Sequence, residues 1–297
     1  MNQPAVDQNP KISYETLWKS IIRPPKDEYE EEELIGPFFS LRKIDYVRKD
    51  YDVISSRGYI MKCSMIEPAP HNRPKKEMPV VIYLHGNSSS RLEGMKMATY
   101  LLRKNINLFV FDFPGSGLSE GEYISLGYHE QNDVKIIVDF VEGIPGVGKI
   151  GLWGRSMGAA TTLMYSHTDD RIKCCIMDSP FADFKRLAKE LCLNVVKLPG
   201  FLIDVAIGIV NRTVKSKNDM DVNQIKPIDK ADRTTTPCII IHATYDEMIN
   251  VQHSRDIIKR YIGKDKRLIE CPEGGHNSRR DTDVIEDVIK FLAKHLC

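Results

Sequence analysis

The sequence has no cysteine pattern of the kind that binds zinc or carries out redox chemistry. The sequence contains seven cysteines, which is an odd number, and no two of them form a CxxC pair. Most of them lie in apolar runs such as residues 173–177. Cysteines in such runs usually serve as small core hydrophobes. No spacing of His, Cys and carboxylate residues suggests a metal site either. We therefore expect free thiols, a reducing compartment, and no metal or other cofactor.

Long apolar runs are also missing. The longest one, residues 201–210, contains Asp204 and is far shorter than the ~20 residues of a membrane-spanning helix. Residues 1–8 lack the charged region and the apolar region of a secretory signal. These absences favour a soluble, cytoplasmic protein without a transmembrane segment.

The chain has little net charge and no concentrated basic patch. It carries 42 Lys and Arg residues against 41 Asp and Glu residues, a formal net charge of +1. A protein that binds nucleic acid needs a local basic surface, so we expect no nucleic-acid partner. With 42% apolar and 28% charged residues in a chain of 297, the composition excludes collagen-like, low-complexity and wholly disordered proteins.

Short β-rich runs alternate with helical patterns from about residue 45 onward. The predicted strands are 45–54, 59–66, 80–84, 107–111, 149–153, 172–177, 238–242 and 267–271. The predicted helices are 92–103, 130–141, 157–166, 254–261 and 284–295. Such alternation is typical of a parallel sheet covered on both faces. It predicts an α/β fold with a doubly wound, mostly parallel eight-stranded sheet, whose first two strands form an antiparallel hairpin at one edge.

Two segments depart from this alternation. Residues 1–40 are polar, and we expect an N-terminal arm that lies on a domain of residues 41–297. Residues 181–230 carry two helical patterns, and we expect a helical cap over the ligand end of the sheet. The second pattern has an apolar stripe at positions 201, 202, 205, 206, 209 and 210. Packing of this stripe within the cap is the simpler interpretation, and peripheral membrane contact is the alternative.

The strongest local signal is the pentapeptide Gly154-Arg155-Ser156-Met157-Gly158, which matches G-x-S-x-G. The pattern alone is a weak signal, but here it follows a predicted strand and opens a predicted helix, as a nucleophile elbow requires. The sharp turn of an elbow lifts Ser156 above the sheet as a candidate nucleophile. It also places the backbone N–H of Met157 at a helix N-terminus, where it can face a developing oxyanion.

A second oxyanion donor is expected after the third predicted strand, where His85-Gly86-Asn87 stands. Glycine lets the backbone approach a substrate, so the N–H of Asn87 is the candidate donor. Ser90 and Glu93 then fit a capping box at the start of the next helix. The sequence leaves open whether His85 has a functional role or is a packed side chain.

A serine hydroxyl needs a base, normally an imidazole whose second nitrogen is held by a carboxylate. His276 lies in a Gly-Gly-His-Asn loop between the last strand and the last helix, from which it can reach across the sheet. Asp246 follows the preceding strand, and the chain order Ser156, Asp246, His276 is the one expected for a doubly wound hydrolase sheet. Asp178, at the end of the sixth strand, is the alternative acid, although it can equally cap the exit of the chain into the insertion.

Together these features resemble the α/β-hydrolase superfamily over about residues 45–295. The run 111–121 is similar to the loop after the fourth strand in that superfamily. His85-Gly86-Asn87, Arg155 and the run 178–181 are similar to intracellular serine hydrolases, which include protein depalmitoylases and prolyl-oligopeptidase-like or serine-aminopeptidase-like members. The resemblance implies the α/β-hydrolase fold and a cofactor-independent acyl transfer.

Two departures from relatives narrow the activity that the resemblance implies. Dehalogenases and epoxide hydrolases have an Asp nucleophile where this chain has Ser156, so those activities are not expected. The palmitoyl-removing members carry an N-terminal cysteine cluster, whereas this chain has no cysteine before Cys63.

We therefore interpret the chain as a serine hydrolase that cleaves an ester, thioester or amide through an acyl-enzyme on Ser156. Asp246 and His276 complete the triad, and the N–H groups of Asn87 and Met157 form the oxyanion hole. The expected substrate is a small molecule, a lipid, or an acylated protein or peptide. The alternative, from a different class, is a catalytically silent α/β-hydrolase fold that serves as a binding or scaffold protein.

Overall fold

Nine strands form one continuous sheet in the computed structural model, which describes residues 14–195 and 200–297. The strands are β1 (Phe38–Leu41), β2 (Ile44–Ile54), β3 (Ile60–Pro68), β4 (Met78–Leu84), β5 (Asn107–Phe111), β6 (Val147–Arg155), β7 (Ile172–Asp178), β8 (Cys238–Ala243) and β9 (Lys266–Cys271). Their order across the sheet is β1-β2-β3-β5-β4-β6-β7-β8-β9. The pairs from β1 to β5 are antiparallel, and the pairs from β5 to β9 are parallel.

Ten α-helices accompany the strands in the described part of the chain. The helices are α1 (Tyr14–Ile22), α2 (Arg91–Met95), α3 (Ala98–Leu102), α4 (Glu130–Glu142), α5 (Met157–Ser166), α6 (Phe184–Val195), α7 (Gly200–Asn218), α8 (Ile228–Ala231), α9 (Gln252–Arg260) and α10 (Thr282–Leu296). Within these described ranges, none of the helices combines the length and the apolar character needed to cross a membrane.

The predicted fold class is confirmed, with one strand more than expected. All eight predicted strands are present, including the antiparallel pair β2 and β3. The additional strand, β1, escapes the sequence pattern because it has only four residues, lies at the edge of the sheet and leaves Phe38 79% exposed. A short edge strand that buries so little lacks the apolar run from which strands are predicted.

Both faces of the sheet are covered, as the central strand β4 shows. All seven of its residues are buried. Val80, Ile82 and Leu84 belong to the core that α4 and α5 share, whereas Val81 and Tyr83 belong to the core that α3 and α10 share. Burial on both faces explains why the strand reads as a continuous apolar run rather than an alternating one.

Strands β4 and β6 are neighbours at the centre of the sheet, and their carboxyl ends lie side by side. After β4 the chain crosses to β5 on one side, whereas after β6 it crosses to β7 on the other side. In open α/β sheets a crevice forms where the connections diverge in this way, and ligands bind there. The residues that follow Leu84 and Arg155 therefore meet at the position where such a fold binds its ligand.

The N-terminal segment, described from residue 14 onward, is anchored by a helix. Trp18 and Ile22 of α1 are buried in the same core as α4 and α5, and α1 packs against α7. Further along, Tyr29 is buried as well. This part of the predicted arm therefore contributes side chains to the core, whereas residues 1–13 of the arm lie outside the described residues.

Helices α6 and α7 lie in the insertion between β7 and β8, where a helical cap is predicted; residues 196–199 of that prediction lie outside the described residues. Only Val210 of the six predicted stripe positions is buried. The exposed members are Phe201, Leu202, Val205, Ala206 and Ile209. The buried residues of α7 are Ile203, Ile207, Val210 and Val214. Because α7 is apolar on two sides, periodicity does not reveal which side packs inward, and the predicted stripe faces solvent instead of the core.

We expect Ile22→Ala to lower the free energy of unfolding by about 2–5 kcal/mol, because Ile22 is completely buried and its removal leaves a cavity. Denaturant unfolding followed by fluorescence measures the change. Phe38→Ala, which truncates an exposed side chain, serves as the control and should change stability by less than about 0.5 kcal/mol. A wild-type unfolding midpoint for Ile22→Ala would show that α1 is not part of the cooperative unit.

Candidate active site

Ser156 stands at a sharp turn between β6 and α5. Its backbone has φ +52° and ψ −114°, a conformation that residues other than glycine rarely adopt. Its N–H donates to the carbonyl oxygen of Asp178 on the neighbouring strand, at 2.8 Å. The strained turn leaves the serine side chain partly exposed at the carboxyl end of the sheet, as the sequence predicts for a nucleophile elbow.

Two glycines allow this turn because backbone segments approach each other closely around it. A Cβ atom added to Gly154 would overlap the carbonyl of Gly158, and one added to Gly158 would overlap the carbonyl of Leu84 at the end of β4. The first turn of α5 therefore lies directly on the ends of two strands. The position of Ser156 is consequently fixed mainly by close contacts between main-chain atoms, to which the side chain of Thr162 adds one at Gly154.

His276 lies in the loop between β9 and α10 and joins the two other predicted residues. Its Nε2 is 3.0 Å from Oγ of Ser156, and its Nδ1 is 2.7 Å from Oδ2 of Asp246. An ionised carboxylate only accepts hydrogen bonds, so Nδ1 carries the proton and Nε2 is free to accept from the serine hydroxyl. The backbone N–H of His276 donates to Oε2 of Glu247 at 3.0 Å, which holds the loop next to Asp246.

Asp246 follows β8, and its side chain is completely buried. Its Oδ1 accepts hydrogen bonds from the N–H groups of Met248, at 2.9 Å, and Ile249, at 2.8 Å. Burial by itself raises the pKa of Asp246, but hydrogen bonds from His242 and His276 outweigh burial and hold this pKa well below its ordinary value. The carboxylate is therefore charged and oriented toward the imidazole.

The alternative acid, Asp178, has a different partner. Its carboxylate accepts from the guanidinium of Arg280, with Oδ1 at 2.7 Å from Nη2 and at 3.0 Å from Nε. Both side chains of this pair are buried. Of the two acids that the sequence offers, Asp246 is therefore the one that contacts the ring of His276, and Asp178 anchors the segment that leads into α10.

The His85-Gly86-Asn87 loop lies beside the serine, because a Cβ added to Gly86 would be 3.6 Å from Cβ of Ser156. Nε2 of His85 accepts from the N–H of Phe113 at 3.0 Å, so Nδ1 carries the proton and donates to the carbonyl oxygen of Gly86 at 2.8 Å. That carbonyl shares a trans peptide unit with the N–H of Asn87, which must point the opposite way. His85 thus orients the predicted oxyanion donor, a role that the sequence leaves open.

Met157, the other predicted donor, is the first residue of α5 and is buried. The N–H groups in the first turn of a helix have no acceptor within the helix, and they carry the positive end of its dipole. The N–H of Met157 therefore lies at the end of α5 that favours negative charge. Asn87 and Met157 come from opposite sides of the switch point, one after β4 and one after β6.

Glu93 differs from its predicted role. Ser90 does cap α2, since its side chain accepts from the N–H of Leu92, but Glu93 does not complete a capping box. Its Oε2 accepts from the N–H of Gly86 at 2.8 Å, and its Oε1 forms an ion pair with Arg155. The carboxylate points away from the helix start because the partly buried guanidinium of Arg155 and the N–H of Gly86 both need an acceptor.

The cysteines and the potential metal ligands complete the inventory of reactive side chains. All seven cysteines are free thiols, and five of them are buried. Among residues 14–195 and 200–297, no group of three or more His, Cys, Asp and Glu side chains is arranged to hold a metal ion.

Comparisons with known proteins agree with the fold of the chain. The family model for the alpha/beta hydrolase fold matches residues 79–202. The chain is 28% identical over 226 residues to the uncharacterized protein YqkD of Bacillus subtilis, which covers 75% of this chain and 70% of that protein. It is also 28% identical over 182 residues to the lysophosphatidylserine lipase ABHD12 of Danio rerio, which covers 59% of this chain and 45% of the lipase.

Solved structures show the same architecture. One crystal form of the Pyrococcus furiosus esterase Pf2001 matches with a TM-score of 0.69 at 20% identity, over 93% of this chain and 98% of the esterase. The chain therefore has the α/β-hydrolase fold.

Proposed function

We propose that the protein is a serine hydrolase that cleaves carboxylic esters through an acyl-enzyme on Ser156. The observation that carries the proposal is the hydrogen-bonded line from Ser156 through His276 to Asp246, with distances of 3.0 and 2.7 Å. These distances are within hydrogen-bond reach, which is the requirement for a nucleophile, its base and the group that orients the base.

In the first half of the reaction, Oγ of Ser156 attacks the carbonyl carbon while its proton passes to Nε2 of His276. Charge develops on the carbonyl oxygen, and the N–H groups of Asn87 and Met157 stabilise it. The protonated imidazole then donates its proton to the leaving alcohol as the bond to that alcohol breaks. The acyl group is left on Ser156.

In the second half, water replaces the serine as the nucleophile. His276 takes a proton from the water, the resulting hydroxide adds to the acyl carbon, and the proton returns to Oγ of Ser156 as the acid leaves. Asp246 accepts from Nδ1 throughout and stabilises the imidazolium in both halves. Because its carboxylate stays charged, it never needs to take the proton itself.

The choice of an ester as the substrate is supported by the relatives. The names of the matched proteins include an esterase and a lysophosphatidylserine lipase. Thioesters and amides share the same mechanism, and an aminoacyl-naphthylamide tested beside p-nitrophenyl esters distinguishes peptidase-like from esterase activity.

The competing interpretation is a catalytically silent binding or scaffold protein, and an interrupted triad would favour it. Such a protein has no need to keep its imidazole within 3.0 Å of a serine hydroxyl or to orient that imidazole with a buried carboxylate. The geometry therefore favours an enzyme over a scaffold.

The exposed face of α7 is also a candidate surface for contact with a lipid membrane. We propose that the protein contacts an anionic lipid bilayer through this face, because its apolar residues are followed on the same helix by the exposed cations Arg212 and Lys215. Lys185 and Lys189 of α6 lie alongside and share the single acid Asp204. Apolar side chains next to cations match the interface of a membrane that contains acidic lipids.

A fluorophosphonate probe should add covalently to Ser156, because only a serine activated by its base attacks phosphorus rapidly. Intact-mass spectrometry and peptide mapping locate the adduct. Ser156→Ala should abolish labelling, whereas Ser216→Ala, at an exposed position of α7, should label like the wild type. Labelling that persists in Ser156→Ala, or the absence of any adduct on folded wild-type protein, contradicts the proposal.

The activity should fall on the acid side of neutrality. A protonated His276 cannot accept the serine proton, so acid removes the general base. Asp246 does not contribute to this fall, because its lowered pKa keeps it charged there. The charged carboxylate of Asp246 also stabilises the folded protein at any pH above the pKa of aspartate in the unfolded chain, about 3.9. This contribution is lost only as the pH falls through the lower pKa that Asp246 has in the folded protein.

A pH series of kcat/KM for p-nitrophenyl butyrate tests this expectation. Asp246→Asn should lower kcat by on the order of 10⁴-fold, the loss known for the corresponding change in a serine protease. Asp265→Asn, at a surface ion pair with Lys294, is the control and should behave like the wild type. An activity that does not decrease on the acid side of neutrality argues against His276 as the base.

Replacing two apolar residues of α7 by acids, in Val205→Asp/Ile209→Asp, should abolish binding to vesicles of phosphatidylcholine and phosphatidylserine. The acids oppose both the apolar contact and the anionic surface. Sedimentation with vesicles measures the bound fraction, which should also fall with added salt. Phe38→Asp, at an exposed apolar residue of the edge strand β1, is the control. Equal sedimentation of the α7 variant and the wild type rules the surface out.

A further inference from the structure

Arg155, the residue before the candidate nucleophile, contacts two loops at once. Its Nη1 forms an ion pair with Oε1 of Glu93. Its Nη2 donates to the carbonyl oxygen of His276 at 2.8 Å and to Oδ1 of Asn277 at 3.0 Å. One guanidinium therefore reaches both the segment that follows β4 and the loop that carries the imidazole.

Glu93 extends this contact to the oxyanion loop. Its second oxygen, Oε2, accepts from the N–H of Gly86 at 2.8 Å. The hydrogen bonds form an unbroken path from Gly86 through Glu93 and Arg155 to His276. The path links residues that are 62 and 121 positions apart in the chain.

The burial of these groups indicates that the path is rigid. The side chain of Glu93 is 7% exposed and that of Arg155 is 21% exposed, so both charges depend on each other for compensation. Burial by itself lowers the pKa of Arg155, but the carboxylate of Glu93 outweighs burial and raises it. A planar guanidinium with several donors can hold a carboxylate and a carbonyl at fixed angles, which a lysine cannot do.

We infer that Arg155 and Glu93 are positioning residues that fix the oxyanion loop and the His276 loop relative to each other. Neither of them touches the reacting atoms. Glu93 holds the N–H of Gly86, while His85 holds the carbonyl of the same residue, so the peptide that carries the N–H of Asn87 is set from both sides. Arg155 holds the backbone of His276 from one side while Glu247 holds it from the other. This inference rests on the proposed function.

The consequence is a coupling between two parts of the reaction. The base and the oxyanion donors must both be in place in the transition state, and a displacement of about 1 Å costs on the order of 10²-fold in rate. Binding of the ester in its ground state depends on these groups much less than the transition state does. Loss of the link should therefore lower kcat while KM changes little.

The main experiment compares Arg155→Met with the double variant Glu93→Met/Arg155→Met, using p-nitrophenyl butyrate and thermal unfolding. The single variant leaves the charge of Glu93 buried without its partner, so it should lower both Tm and kcat. The double variant removes both charges, so Tm should return toward the wild-type value while kcat stays reduced by about 10- to 100-fold. A merely structural ion pair predicts that kcat recovers together with Tm.

Arg155→Lys is a conservative variant that tests the inference even if the methionine variants fail to fold. It keeps a positive charge for Glu93 but loses the second arm toward His276 and Asn277. We expect a Tm close to the wild-type value with a reduced kcat. The matched control is Arg171→Met, which removes a half-buried arginine from an ion-pair network with Asp139, Glu142 and Asp169, away from the site. It should lower Tm without lowering kcat.

A second readout is the affinity for an alkyl boronic acid, which forms a tetrahedral adduct with an activated serine. Its Ki should rise in Arg155→Lys by about the same factor by which kcat falls, while KM changes by less than about threefold. Wild-type kcat and Ki in both Arg155→Lys and the double variant overturn the inference. The proposed function stands in that case if the wild type hydrolyses the ester and is labelled on Ser156, so the two failures are distinguishable.

Discussion

At Gly154 and Gly158 the first turn of α5 passes so close to the ends of β6 and β4 that no side chain fits between them. This close approach forces Ser156 into a conformation with positive φ, and it brings the helix N-terminus to the point where the connections of the sheet diverge. The candidate nucleophile is thus held in place mainly by main-chain packing. The other groups of the site are arranged around this point by loops from different strands.

Buried charges hold those loops, and each charge has a partner of the opposite sign or a set of donors. Asp246 takes two backbone N–H groups and the imidazole of His276. Arg280 neutralises Asp178, and Arg155 neutralises Glu93. Removing one member of such a pair leaves an unpaired charge that is expensive to bury. The carboxyl edge of the sheet is therefore rigid for electrostatic reasons, which suits a reaction that needs preorganised donors.

Local patterns in the sequence predict most of the sheet and all three residues that the structure brings together at Ser156. They succeed because a buried parallel strand reads as an apolar run, and because an elbow needs glycines at fixed spacing. They do not reveal β1, which buries too little, or the face of α7 that packs inward, since both of its sides are apolar. The sequence does not predict the pairing of Glu93 with Arg155 for another reason. A capping box is recognised from two residues three positions apart, whereas an ion pair between residues 62 positions apart leaves no periodic pattern in the sequence.

A crystal structure of the protein with a phosphonate bound covalently tests the central claim most directly. The account predicts phosphorus bonded to Oγ of Ser156, with the phosphoryl oxygen about 2.7–3.1 Å from the backbone nitrogens of both Asn87 and Met157. It also predicts that the imidazole of His276 stays hydrogen-bonded to Asp246. A phosphoryl oxygen that points into solvent, away from both N–H groups, or an adduct on a residue other than Ser156, would contradict it.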